Sequence, residues 1–412
     1  SVTYTITGIV VGNAIGTISN SATVDGATVG PVTHTAAVGV IDAIKTSGTT
    51  IYEPNGTIVY TLTINNTGNG FAVDIPVEDN IGGIQTNLVG GNTGAAFQSN
   101  WTITASPSGT GTTVGTFGDG ANLNTAVTIA PGGSVTYTIT GTVVYNAIGT
   151  ISNLATVDNI PVTPVSHAAV AGVVNGMKTS GTTHYTPNGT IVYTLEITNE
   201  GNGFAVNIPV LDNIGSIQTT LVGGSSGTAF QSGWTITASM TGTGTTSGTY
   251  ANGANLDTTV NIAPGGSVTY VITGTVVNNA IGPIINAATV DGISVGPVTH
   301  TAVAGVVNAT KTSGTMTYEP NGSIEYTLTI SNTGDGFATD VTVVDLIDTI
   351  QTTLVEGATG AAFQPSWTIS AAVAGTGTTS GSFANGTNLN TSVNIAPGGS
   401  VAYTITGTVV SN

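Results

Sequence analysis

Lys45, Lys178 and Lys311 each open the string Lys-Thr-Ser-Gly and stand 133 residues apart, and most of the residues between them recur at the same step. Fidelity over such a long period describes an array of like modules, not one continuous domain. A unit of this length can bury a core of its own. These three lysines are also the only basic residues, since arginine is absent.

The phase of the repeat divides the chain. Ser1-Val2-Thr3-Tyr4-Thr5-Ile6-Thr7-Gly8 recurs at Ser134 and Ser267, and Ser400 to Asn412 opens another copy. Residues 1–35 are therefore expected to be the C-terminal part of one repeat, 36–168 and 169–301 whole repeats, and 302–412 the N-terminal part of another. Because this division cuts a repeat at each end, strands from elsewhere are expected to complete the edges, either by continuation of the chain or by donation between chains.

Composition selects the fold class. With 59 glycines in 412 residues, only 8 phenylalanines and 3 tryptophans, and an abundance of threonine and valine, the chain favours strands and turns over helices. Thr57-Ile58-Val59-Tyr60-Thr61-Leu62-Thr63-Ile64 alternates so that Ile58, Tyr60, Leu62 and Ile64 share one face, the period of a half-buried strand. Pro54-Asn55-Gly56, Asn66-Thr67-Gly68-Asn69-Gly70 and Ala130-Pro131-Gly132-Gly133 punctuate the strands as turns, because proline fixes φ and glycine frees it. Thr23-Val24-Asp25-Gly26 and its copies at Asp158 and Asp291 read as hairpin turns. Trp101, Trp234 and Trp367, beside Phe97, Phe230 and Phe363, read as core anchors. Strands separated by turns at this spacing predict tandem Ig-like antiparallel β-sandwiches of seven to nine strands, with Tyr60, Trp101 and Asn153 inward. Pro161 to Val174 runs from one module into the next with no flexible linker, as in a stiff rod.

Charge and cysteine usage narrow the chemistry. Twenty acids against three lysines, net −17, exclude a nucleic-acid partner, which requires clustered cations. No run of about 18 apolar residues is long enough to cross a bilayer; the sequence as it stands reads as soluble, without leader or anchor. With no cysteine, disulfides and thiol chemistry are absent, so stability must come from another source.

Inward-facing polar residues suggest that source. Among acids, only the phases of Asp25/Asp158/Asp291 and Asp79/Asp212/Asp345 are acidic in all three copies. The first belongs to a turn. The second shares strand parity with Val73, Ile75 and Val77 and so points into the core. Asn20, with Asn153 and Asn286, shares parity with Ile18, Ala22 and Val24. Lys45 shares parity with Ile41 and Ala43. Three buried polar groups per module must meet, because a lone buried charge is costly. Burial lowers the lysine pKa and raises that of the aspartic acid, setting a neutral amine beside a protonated acid that polarises the asparagine carbonyl. An intramolecular isopeptide bond with loss of ammonia is one outcome of such a meeting, and a buried Lys–Asp salt bridge with an asparagine neighbour is the other.

Lys45, the strand from Pro54-Asn55-Gly56 to Tyr60-Thr61, Asn66-Thr67-Gly68, the strand end Val77-Glu78-Asp79, Ile129 to Tyr137, and Ile151-Ser152-Asn153 together resemble the repeats of unknown function of bacterial and archaeal surface proteins. They are similar also to the Ig-like stalk domains of adhesins and pilins. The resemblance covers essentially every repeat. It implies lysine as nucleophile, asparagine as acceptor and a buried acid as promoter, roles that fall on Lys45, Asn153 and Asp79, and on Lys178, Asn286 and Asp212. Lys311 with Asp345, and Asn20, would find their partners beyond residues 1–412.

Other signals stay bland. His34, His167 and His300, one per repeat, lack a second ligand, so no metal site is expected. Asn55, Asn188 and Asn321 satisfy a glycosylation sequon, yet Pro-Asn-Gly already serves as a turn. No nucleophilic triad or carboxylate pair points to an enzyme, and no cofactor is called for. The expectation is a structural component of an extracellular prokaryotic surface fibre, its partners copies of itself, with cell wall or other surface components beyond. The alternative is an adhesin that recognises glycan or a host surface through loops such as Gly90 to Thr93. A threonine-rich ice-binding surface is weaker, since threonine is spread over turns and strands at a long period.

Overall fold

The computed structural model describes all residues from Ser1 to Asn412. The chain is all-β, with tandem antiparallel sandwiches and only three short 3-10 turns. In residues 169–301 one sheet runs in the order Val174–Ser180, Thr190–Asn199, Ser267–Thr275, Thr235–Thr241. The facing sheet runs His184–Tyr185, Ile293–Ala302, Ile284–Val290, Ala205–Asp212, Leu256–Ile262. Alternation drives this layering. In Thr190–Asn199 every second residue is buried, so one face of each sheet meets the other across an apolar core, the arrangement of an Ig-like sandwich.

Residues 36–168 repeat the pattern, with Tyr60, Trp101 and Asn153 in the interior as expected. Trp234 is only partly buried, and each indole N–H donates to a loop carbonyl, that of Ala121, Ala254 or Thr387. Three separate cores result, of 25, 25 and 14 buried residues. The third is the smallest because the strand Ala338–Asp345 pairs only with Leu389–Ile395.

Two details depart from simple alternation. His184–Tyr185 pairs in parallel with Thr301 and Ala302, so the sandwich is not wholly antiparallel. In Ala72–Asp79 the register shifts near the start, and Asp74 takes a positive φ of 53°. This bulge turns Ala72 inward and leaves Val73 exposed, contrary to the parity that grouped Val73 with Asp79. Downstream of it Val77 and Asp79 are buried as expected.

Turn chemistry follows sequence. Asp25-Gly26, Asp158-Asn159 and Asp291-Gly292 all have positive φ, the requirement of a tight hairpin. Gly70 and Gly203 serve a different need. A Cβ there would lie 1.7 Å from the carbonyl oxygen of Ala37 or Val170, where the chain enters each sandwich.

Candidate functional site

In residues 36–168 the site bridges the two sheets. Lys45 lies on Ile41–Ser47 opposite Leu62. Asp79 ends Ala72–Asp79, between Leu123 and Ala155 on the opposite sheet. Asn153 closes Ile151–Asn153 and faces Val165. The side chains of Lys45 and Asp79 are 0 % exposed, and the whole of Asn153 is 1 % exposed.

Lys45 Nζ donates to Asp79 Oδ2, and Asn153 Nδ2 reaches the same oxygen at 3.3 Å. The ammonium also lies 5.0 Å from the centre of the Tyr60 ring. Lys178 and Asp212 repeat the contact, over Tyr193 at 5.1 Å, with Asn286 buried beside them. Lys311 Nζ meets Asp345 Oδ2 at 2.5 Å over Tyr326. There the lysine side chain is 37 % exposed and no asparagine joins it.

Asn20 is brought to no lysine. It lies on an exposed hairpin, paired by its backbone with Val32, so the inward face assigned to Ile18, Asn20, Ala22 and Val24 is uncovered. Sequence parity grouped these residues on one strand face, but that face is exposed, because the hairpin forms a two-stranded sheet with no second sheet packed on it.

Burial governs the electrostatics. Desolvation lowers the pKa of Lys45 and Lys178, opposed by the neighbouring aspartate's charge and hydrogen bond. Desolvation raises Asp79 and Asp212, opposed by the lysine and, more weakly, by the asparagine. Both shifts favour a neutral amine beside a protonated acid. Burial also raises Tyr60, with the Asp79 charge adding to it, which keeps the phenol protonated.

Several polar atoms of the cluster have no partner. They are Asp79 Oδ1 and Asn153 Oδ1 in one module, Asp212 Oδ1 and Asn286 Nδ2 in the next. Buried polar atoms without a partner are rare in folded proteins and cost about 1–3 kcal/mol each.

One further polar residue escaped the sequence reading, and a second, His167, takes the packing and hydrogen-bonding role expected of a histidine that holds no metal. Asn66, read as part of a turn, is buried. Its amide donates to the carbonyls of Gly70 and Ile129 and accepts from the backbone N–H groups of Val40 and Gly68. Its parity with Ile58, Tyr60, Leu62 and Ile64 was the available signal. His167 is buried beneath Tyr60, 3.4 Å from its hydroxyl and 2.9 Å from Ser47 Oγ; burial lowers its pKa. The loop around Gly90 and Gly91 is an exposed tight turn between two short strands, Gln85–Asn87 and Thr93–Ala95.

No family model matches the chain, and no curated protein matches it. Among solved structures it is similar to the C-terminal domain of the Streptococcus agalactiae AgI/II polypeptide BspA, with 11% identity over 63% of this chain and 100% of that one, at a TM-score of 0.22. It is similar to the Escherichia coli adhesin FdeC, with 14% identity over 92% and 91% of the two chains, at 0.20. It is similar also to domains 4-9 of surface layer protein SbsC, with 14% identity over 89% and 43%, at 0.19. These neighbours are adhesin and surface-layer domains, and the superpositions are loose.

Proposed function

We propose that the chain is a structural component of an extracellular prokaryotic fibre or stalk, built from Ig-like modules at 36–168 and 169–301 with partial modules at 1–35 and 302–412. Each whole module is stapled by an isopeptide bond, Lys45 to Asn153 and Lys178 to Asn286. The observation that carries the reading is the buried cluster of Lys45, Asp79 and Asn153 with its orphaned oxygens.

The proposed chemistry uses the three buried side chains, with the Asn153 amide turned so that its carbonyl oxygen meets Asp79. A neutral Lys45 amine attacks Asn153 Cγ, the new C–N bond replaces the bond to Nδ2, and that nitrogen leaves as ammonia with the proton lost by the lysine. Protonated Asp79 polarises the carbonyl during the attack and relays the proton. The product settles the polar atoms as well. The new amide N–H donates to Asp79 Oδ2, and a proton on Oδ1 gives the acid a donor for the amide oxygen, which is Asn153 Oδ1. No external substrate is required, and the bond joins an early strand to a late one, so tension bypasses the interior of the module.

Intact mass tests the reading. Two modules predict a chain lighter than its sequence by two ammonia, and Asp79→Ala together with Asp212→Ala restores the full mass. A parent chain at its full sequence mass leaves only buried ion pairs.

A further inference from the structure

Three asparagines at one phase of the repeat carry a signal that neither the sandwich nor the buried cluster uses. Asn55-Gly56-Thr57, Asn188-Gly189-Thr190 and Asn321-Gly322-Ser323 are sequons for N-linked glycan. Five others begin at Asn65, Asn100, Asn308, Asn385 and Asn390, and each is absent at the same phase of the other copies. The copies have thus diverged enough to break a sequon at five phases. At the Asn55 phase it stands in all three, with Ser323 replacing threonine by the other permitted hydroxyl.

The turn accounts for only part of this motif. Pro54, Pro187 and Pro320 take its second position and the asparagines its third, at φ of 61°, 59° and 59°. The N–H of Gly56, Gly189 or Gly322 closes it on the carbonyl of Glu53, Thr186 or Glu319. Glycine meets a positive φ at the third position at least as readily, so the turn does not demand a carboxamide. In every copy that carboxamide has one orientation. Its Oδ1 accepts from Nε2 of Gln98 at 3.4 Å, of Gln231 at 3.0 Å or of Gln364 at 3.3 Å, which leaves Nδ2, the nitrogen that takes a glycan, without a protein partner. Thr57, Thr190 and Ser323 open their strands at exposed positions, and their hydroxyls make no hydrogen bond within the protein.

The surroundings suit a sugar. Asn188 borders an open cavity of about 600 Å³ between modules, lined also by Thr186, Asn278, Asp335 and Thr376. These hydroxyl, amide and carboxylate groups are the kinds that bond sugar hydroxyls, in a space of the size that holds small organic ligands. Charged residues make up only 6% of the chain, against about 25% in a typical soluble protein. A hydroxyl-rich glycan supplies the hydration that those charges would otherwise give.

We propose that Asn55, Asn188 and Asn321 are sites of N-linked glycosylation, one in each copy of the repeat. The donor is an oligosaccharide carried on a lipid phosphate or pyrophosphate. Asn Nδ2 attacks the anomeric carbon, the new N–C bond replaces the bond from that carbon to the phosphate oxygen, the lipid phosphate leaves with the electron pair, and one amide proton is released.

The experiment uses the full chain isolated from the cells that make it, cut with chymotrypsin because three lysines leave tryptic peptides too long. Fragment spectra of the peptides that hold Asn55, Asn188 and Asn321 should show sugar oxonium ions and a common added mass on the asparagine. Bare peptides at Asn55 and Asn188 would overturn the proposal. Thr57→Val and Thr57→Ser, made in the same cells, test whether the hydroxyl directs the modification, since valine keeps both the turn and the strand preference. The valine variant should lose the glycan at Asn55 alone and the serine variant should keep it; a glycan that persists at Asn55 with valine also overturns the proposal. The ammonia lost in the staples is read from other peptides, those joining Lys45 to Asn153 and Lys178 to Asn286, so either reading can fail without the other.

Discussion

Replacing Asn153 by alanine removes the carbonyl that Lys45 would attack and leaves Lys45 and Asp79 in contact. The closed loop from Lys45 to Asn153 spans 109 residues counting both ends, and loop-closure entropy for a cross-link of that size is about 5 kcal/mol at 25 °C. A module of this length unfolds with an entropy near 0.28 kcal/mol/K, so the loss corresponds to a fall of about 17 °C in its melting temperature. The amide removed is itself buried with an unpaired oxygen, so its own hydrogen bonding adds little. Scanning calorimetry should therefore show one transition displaced downwards while that of the second module stays in place. Intact mass, corrected for the substitution, should show one ammonia fewer lost than in the parent. Unchanged melting together with an unchanged mass deficit would refute the assignment of Asn153 as the acceptor.

Asp79→Ala leaves Lys45 unreacted and buried without its counter-charge. Burial holds the amine below its ordinary value of 10.5, so between the folded and unfolded values the unfolded chain binds the extra proton, and stability should rise with pH and level off above 10.5. Urea unfolding of this variant at several alkaline pH values checks it, and a flat profile would mean that the amine is solvated. Asn66→Ala strands the carbonyls of Gly70 and Ile129 and the N–H groups of Val40 and Gly68; a loss of about 3 kcal/mol is expected from urea midpoints. Gly203→Ala sets a methyl against the Val170 carbonyl and should destabilise the second module by about 3 kcal/mol, with the first module's transition unmoved.

Much of this molecule was legible in its sequence because sheets translate a period of two into burial. Ile58, Tyr60, Leu62 and Ile64 are inward because they alternate, the Asp-Gly and Asp-Asn pairs turn because they tolerate positive φ, and Lys45, Asp79 and Asn153 lie in the core because they share parity with apolar neighbours. Asn66 obeyed the same rule and was masked by the turn residues after it. Alternation is local, however, and says nothing about what lies across the core. The contact of Lys45 with Asp79 joins residues 34 apart on opposite sheets, and that of Asn153 with Asp79 spans 74, so only the packing of one sheet on the other decides that these atoms touch. A bulge at Asp74 reversed the parity of Val73, because one extra residue shifts every side chain before it to the other face. The exposure of Asn20 and Lys311, which occupy the same strand phase as counterparts that are buried, follows from the lack of a complete second sheet across them. Burial belongs to the pair of sheets, and a strand carries only the pattern that makes it possible.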